Sequence, residues 1–219
     1  MLNNEDARGI IAPVVEPIAR GLLRMRVTPD MVTLTGTTLT VLTALILIPQ
    51  GEFVPAIILL FLFVSADVLD GTMARLSGTQ GPWGAWFDAT LDRVADGAIF
   101  GGVLIWAAWQ REDPDAFLAT PTTILAWICL VGGTVVSYAK ARAEAVGATA
   151  NGGIAERAER MILLGIGALL YQWFDWGMTA AVAILALLTV ITVFQRGLDV
   201  RSQLKPLNGQ ATTAPRADQ

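Results

Sequence analysis

The sequence predicts an all-α integral membrane protein: six membrane-spanning helices preceded by an N-terminal amphipathic helix at the membrane interface. Three observations carry this reading. Of 219 residues, 54% are hydrophobic and only 16% charged, against about a quarter charged in an ordinary soluble domain. The mean hydropathy is +0.56. Six apolar stretches, at 31–50, 53–75, 84–109, 121–143, 158–174 and 177–196, come near the length that a bilayer requires.

The elements follow in chain order. Over residues 9–26, Ile10, Ile11, Val14, Val15, Ile18, Leu22 and Leu23 recur at helical spacing while Arg20, Arg24 and Arg26 supply charge. That pattern fits a helix lying in the interface, bent or delayed by Pro13 and Pro17. Residues 1–30 form this segment, and no cleaved signal is expected there. Thr28 or Asp30 is positioned to cap the first span. Breakers separate the spans at Pro49–Gly51, Gly78–Pro82, Asp113–Pro114, Gly147–Gly153 and Asp175–Gly177. Residues 31–200 are read as one six-helix domain. The stretch 201–219, rich in Pro, Ala, Thr, Gln and Asn without an apolar period, is read as a disordered tail.

Charge distribution sets the orientation. Fourteen of the fifteen basic residues fall on the side of the termini when six spans are drawn, and only Arg111 falls opposite. That bias puts both termini in the cytoplasm. The net charge of −4 speaks against a nucleic-acid role. The absence of histidine removes the commonest general base and the usual zinc ligand. The lone Cys129 cannot form a disulfide within the chain and reads as packing. Trp106, Trp109, Trp127, Trp173 and Trp176 read as interfacial anchors.

Against this apolar background stand Asp67 and Asp70 in one stretch and Asp88 and Asp92 in the next. A carboxylate at mid-membrane costs roughly 2.5–3.5 kcal/mol on insertion scales, so four close together call for compensation. Hard oxygen ligands suit Mg²⁺, with Mn²⁺ as the alternative. On helices, Asp67, Asp70 and Ala74 share one face, and Gly84, Asp88 and Asp92 share another. A short loop makes the two helices antiparallel, so these faces can meet. Gly71 and Gly84 omit side chains where a substrate or backbone comes close. Arg75 and Arg93 could instead pair with the carboxylates as packing glue, but two arginines cannot neutralise four aspartates. A metal-binding membrane transporter is the reading from a different class, although repeated halves and broken helices are not apparent.

The complete pattern, D-x2-D-G-x2-A-R-x8-G-x3-D-x3-D from Asp67 to Asp92, resembles the signature of the CDP-alcohol phosphatidyltransferase family. That resemblance implies a membrane transferase that moves a phospho-alcohol group from a CDP-linked donor to an acceptor hydroxyl and releases CMP. It implies a polar cavity open to the cytoplasm, a homodimer, and divalent metal held by Asp67, Asp70, Asp88 and Asp92. By the same resemblance Asp92 is the general base. Gly71, Ala74 and Arg75 would lie against the donor nucleotide and diphosphate, with Asp30, Met31, Val32 and Thr33 completing that pocket.

A second cluster bears on the acceptor. Ser137, Lys140 and Arg142 end the fourth span, and Arg157 and Arg160 open the fifth one turn apart; Arg196 closes the sixth. Such residues orient the chain and meet lipid phosphates in any case, but together they suit an acceptor that carries its own phosphate. The stretches 17–24, 28–30, 88–97, 137–144 and 152–160 resemble bacterial family members that join CDP-diacylglycerol to inositol 1-phosphate in the plasma membrane. By that resemblance Ser137, Lys140, Arg142, Arg157, Arg160 and Arg196 form the inositol-phosphate pocket. The alternative acceptor within the family is glycerol 3-phosphate, which would make the enzyme a phosphatidylglycerophosphate synthase.

Overall fold

The computed structural model describes residues 4–109, 121–150, 152–154 and 157–210. The Asp113–Pro114 turn, Arg111 and residues 211–219 of the expected tail lie outside them. The described residues are helices joined by short turns, and the chain divides into two compact units, 1–109 and 110–219.

In the first unit α1 spans Asn4–Arg24, α2 Pro29–Leu47, α3 Phe53–Val64, α4 Ala66–Ser77 and α5 Pro82–Trp109. Helix α1 continues past Pro13 and Pro17, although each proline forfeits an N–H donor. It packs on α4, with Ala19 fully buried while Val14 and Ile18 stay exposed. Arg26 ends the helix in the left-handed region at φ 63°, with Val27 N–H bonded to Leu22 O. Thr28, rather than Asp30, is the cap of α2: its hydroxyl accepts from Met31 N–H, and Pro29 follows at the first helical position.

Helix α2 is the centre of the unit and packs against α3, α4 and α5. Its closest approach is to α5, where Gly102 lies on the carbonyl of Ala44; a Cβ on Gly102 would collide with that oxygen. Phe53 and Trp106 meet edge to face at 5.1 Å on the same side. The stretch expected as one span over 53–75 is interrupted at Ser65, whose hydroxyl bonds back to Phe61 O at 2.7 Å. Such back-bonding bends helices, and here it begins a new first turn that contains Asp67. Helix α4 then stops at Gly78, which takes φ 69° so that Gly78 and Thr79 N–H groups close onto Arg75 O and Ala74 O.

The second unit holds α6 Pro121–Ala145, α7 Arg157–Leu170 and α8 Gly177–Gln210. Helix α8 is central and packs on both others. Gly167 sits against Ala181, Gly132 against Thr189, and the Thr122 and Thr179 hydroxyls pair at 2.8 Å. Cys129 is buried and free.

Helix α8 does not give way to an irregular tail at 201; it remains helical through Gln210. Val200 and Leu204 pack on a small cluster of Ala143, Ala148 and Ala150, and Gln203 bonds to Thr149. These contacts hold turns that composition alone reads as unstructured.

Four of the six expected spans are long and apolar enough to cross a membrane: Pro29–Leu47, Phe53–Ser77, Pro121–Ala145 and Gly177–Leu204. The two others miss for different reasons. Helix α5 has 28 residues but carries Asp88, Asp92 and Arg93 in its first half and Asp96 at its middle. Helix α7 has only 14 residues, short of the ~20 that a perpendicular crossing needs. Large apolar side chains on the spans stay exposed, Phe61 at 78% and Phe194 at 69%, as expected of surfaces solvated by lipid.

Replacing Gly78 by alanine should strain the left-handed stop of α4 by about 1–2 kcal/mol. The thermal midpoint of the detergent-solubilised protein should fall by a few degrees; an unchanged midpoint would show that this turn does not depend on glycine.

Candidate active site

The first unit gathers carboxylates. Asp67 and Asp70 stand one turn apart on α4, and Asp88 on α5 faces them. One oxygen from each lies within 4.8 Å of the others. Asp70 is buried, while Asp67 and Asp88 are half-buried. Such a hard-oxygen trio is the donor set that Mg²⁺ or Mn²⁺ takes, so the residues present fit the expected metal.

Asp92 stands outside the trio. Four residues along a helix advance its side chain about 6 Å from Asp88 and turn it about 40° past the same face. Its carboxylate instead approaches Arg93 at 3.7 Å. Asp96, one turn further along α5, is buried.

Two residues of α2 bear on this cluster. The hydroxyl of Thr33, expected only in the nucleotide pocket, donates to Asp70 Oδ2 and also lies 3.1 Å from Pro29 O. A short charge-assisted bond of this kind fixes which way a ligating carboxylate points. Asp30, one turn before Thr33, accepts from the indole N–H of Trp83 at 2.9 Å. Trp83 in turn stacks on Trp86 and Phe87 at the start of α5. Nothing in the sequence marks the Asp30–Trp83 contact, because a pair 53 residues apart leaves no period.

Arg75, on the last turn of α4, donates to Thr72 at 2.8 Å and lies beside Gly71. A Cβ on Gly84 would meet nothing within 4 Å, and one on Gly71 only Arg75 Nη1 at 3.8 Å. Neither glycine is required by the packing of the protein itself. Met31 is exposed, and Val32 and Ala74 are half-buried.

The acceptor candidates all lie in the second unit. Ser137 bonds back to Gly133 O at 3.1 Å, and Lys140 and Arg142 are exposed at the end of α6. Arg157 is half-buried, whereas Arg160 is 2% exposed and threads its guanidinium over Gly133, where a Cβ would block it. Arg196 is also buried; its Nε donates to Gly152 O at 3.0 Å and its Nη1 to Val136 O.

Taken with this geometry, comparison with known proteins defines the class. Residues 26–194 match the profile of the CDP-alcohol phosphatidyltransferase family, and the chain belongs to that family: it is a multi-pass membrane enzyme that transfers phosphate-containing groups. It is 44% identical over 194 residues to the phosphatidylinositol phosphate synthase of Mycobacterium marinum, covering 87% of this chain and 80% of that protein. Identity to the Corynebacterium glutamicum phosphatidylinositol phosphate synthase is 40% over 204 residues, with 92% and 90% covered. Among solved structures, the Mycobacterium tuberculosis phosphatidylinositol phosphate synthase with CDP-DAG bound superposes with a TM-score of 0.80 at 42% identity, covering 86% of this chain and 94% of that one. The same enzyme with manganese and citrate gives 0.78, also at 42% identity, with 85% and 88% covered.

Thr33→Val removes the hydroxyl bonded to Asp70 and nothing else polar. Loss of such a supporting bond typically weakens metal binding about 10–100-fold. A Mn²⁺ titration followed by electron paramagnetic resonance should show that loss, and wild-type affinity would remove Thr33 from the site.

Proposed function

We propose that this enzyme is a phosphatidylinositol-phosphate synthase: it transfers the phosphatidyl group of CDP-diacylglycerol to a hydroxyl of inositol 1-phosphate and releases CMP. The convergence of Asp67, Asp70 and Asp88 within 4.8 Å carries this reading, in a chain 44% identical to a synthase of that name. The trio would hold Mg²⁺, or Mn²⁺ in its place, which when bound offsets the negative charge of the donor diphosphate and of the transition state.

The remaining steps fall to side chains of this chain. Asp30, Met31, Val32, Thr33, Gly71, Ala74 and Arg75 seat the donor, and the open faces of Gly71 and Gly84 leave room for it. Arg75 supplies positive charge to the diphosphate. The acceptor oxygen attacks the phosphatidyl phosphorus, the bond from that phosphorus to the CMP oxygen breaks, and CMP departs. Asp92, standing apart from the trio, takes the proton of the attacking hydroxyl. A carboxylate is a weak base for an alcohol, so orientation and charge supply most of the acceleration. Ser137, Lys140, Arg142, Arg157, Arg160 and Arg196 provide the cationic and hydroxyl groups suited to the acceptor's phosphate and ring.

In the same reading α5 and α7 complete six spans, α5 with its charged half toward the cytoplasm. Helix α1 lies in the interface, both termini and the active site face the cytoplasm, and the working unit in the plasma membrane is a homodimer. The one-sided distribution of basic residues supports this orientation.

Purified protein with CDP-diacylglycerol and Mg²⁺ should release CMP when given inositol 1-phosphate and should fall silent in excess chelator, with Mn²⁺ restoring turnover. A preference for glycerol 3-phosphate would replace the acceptor, and silence with every acceptor would overturn the transferase assignment. Asp92→Asn should lower kcat at least 100-fold, the lower range for a lost general base, while CDP-diacylglycerol binding persists. A near-normal kcat would show that another group takes the proton.

A further inference from the structure

The turns of α8 beyond Arg196 lie outside the donor site, and no role has so far been given to them. Yet they make a dense set of polar contacts. The side-chain amide of Gln203 pairs with the main chain of Thr149 in both directions: its Oε1 accepts from Thr149 N–H at 2.9 Å, and its Nε2 donates to Thr149 O at 2.7 Å. The Thr149 hydroxyl adds a third contact at 3.2 Å. A side-chain amide used in this way imitates a strand partner and satisfies a loop residue that has no ladder of its own.

Three further contacts converge on the same loop. Arg196 Nε, about two turns before Gln203 on α8, holds Gly152 O. A Cβ on Gly152 would press on the carboxylate of Asp199, so α8 passes close to the loop backbone there. Val200 and Leu204 cover Ala143, Ala148 and Ala150. The loop begins where α6 ends, at Gly147 in the left-handed region with φ 77°. Its two ends carry the acceptor candidates: Lys140 and Arg142 before it, Arg157 and Arg160 after it.

From this clasp we infer that Gln203 is a positioning residue for the acceptor: by pinning Thr149 to α8 it sets the loop from which the basic residues of α6 and α7 emerge. The inference rests on the acceptor reading above for its kinetic consequence, while the clasp itself stands on the contacts alone. Gln203 does not touch either substrate in this account. It fixes the spacing between Arg142 and Arg157, and a doubly anionic phosphate group is sensitive to that spacing.

The test uses the full-length enzyme and Gln203→Ala. Hydrogen–deuterium exchange should accelerate at least tenfold over 148–150, since the Thr149 N–H loses its acceptor. The KM for inositol 1-phosphate should rise about fivefold to thirtyfold, the factor that losing one or two neutral hydrogen bonds corresponds to, while the KM for CDP-diacylglycerol stays within about twofold of wild type. Gln203→Glu keeps an oxygen for the Thr149 N–H but loses the donor to Thr149 O. It should fall between the two in both measurements, and it carries the test if the alanine variant fails to fold. Unchanged exchange in both variants would overturn the clasp. Faster exchange with an unchanged acceptor KM, or with both KM values raised alike, would overturn positioning and leave a purely structural tie. If the wild type ignores inositol 1-phosphate but turns over glycerol 3-phosphate, the acceptor reading fails and the same KM comparison is made with glycerol 3-phosphate. If it turns over neither, the exchange result alone decides the clasp, and positioning falls with the enzyme reading.

Discussion

Three carboxylates held with their oxygens inside 4.8 Å repel one another by about 3–4 kcal/mol per pair at an effective dielectric of 20. That arrangement calls for devices that fix each member and for its charge to be offset, by a proton or by a bound cation. The devices are visible in the first unit. The break at Ser65 opens α4 immediately before Asp67, the left-handed stop at Gly78 closes the same helix beyond Arg75, and Thr33 reaches across from α2 to hold Asp70. Each acts on one carboxylate-bearing helix, and together they leave little freedom for the trio to spread.

The second unit handles charge differently. Two of its arginines, Arg160 and Arg196, are almost fully buried, and the fold makes room for one by omitting a side chain at Gly133 and spends part of the other on backbone carbonyls. Lys140 and Arg142 remain exposed. The unit thus combines fixed guanidinium groups, whose planar forks suit phosphate oxygens, with mobile-stemmed cations at the end of α6. A buried arginine loses little rotational freedom on meeting an anion, because folding has already ordered it.

How much of this was legible in the sequence depended on whether a period encoded it. The trio was legible because Asp67, Asp70 and Asp88 fall at helical spacings on two helices joined by a short loop. Asp92 shares the helix face of Asp88 by the same spacing, but its carboxylate is not among the three that lie within 4.8 Å of one another. The apolar stretches marked the helices, and four of them qualify as spans by length and composition; α5 mixes charge into its length and α7 is short. What escaped altogether were pairings between distant positions: Trp83 on Asp30, and Gln203 on Thr149, 54 residues apart. A glutamine that substitutes for a strand partner looks, in sequence, like one more polar residue in a tail.

The meeting of Gly102 with the carbonyl of Ala44 has a mechanical meaning. Asp88 lies fourteen residues before Gly102 on the same rigid helix, roughly 20 Å away along the axis at 1.5 Å per residue. Gly102 is the fulcrum on which α5 rests against α2, and the far arm of that lever carries a member of the trio. A single methyl group added there would press on the Ala44 carbonyl and force α5 and α2 to shift. The seating of a helix that carries one of the three carboxylates thus depends on a contact set by size alone, with no charge in it.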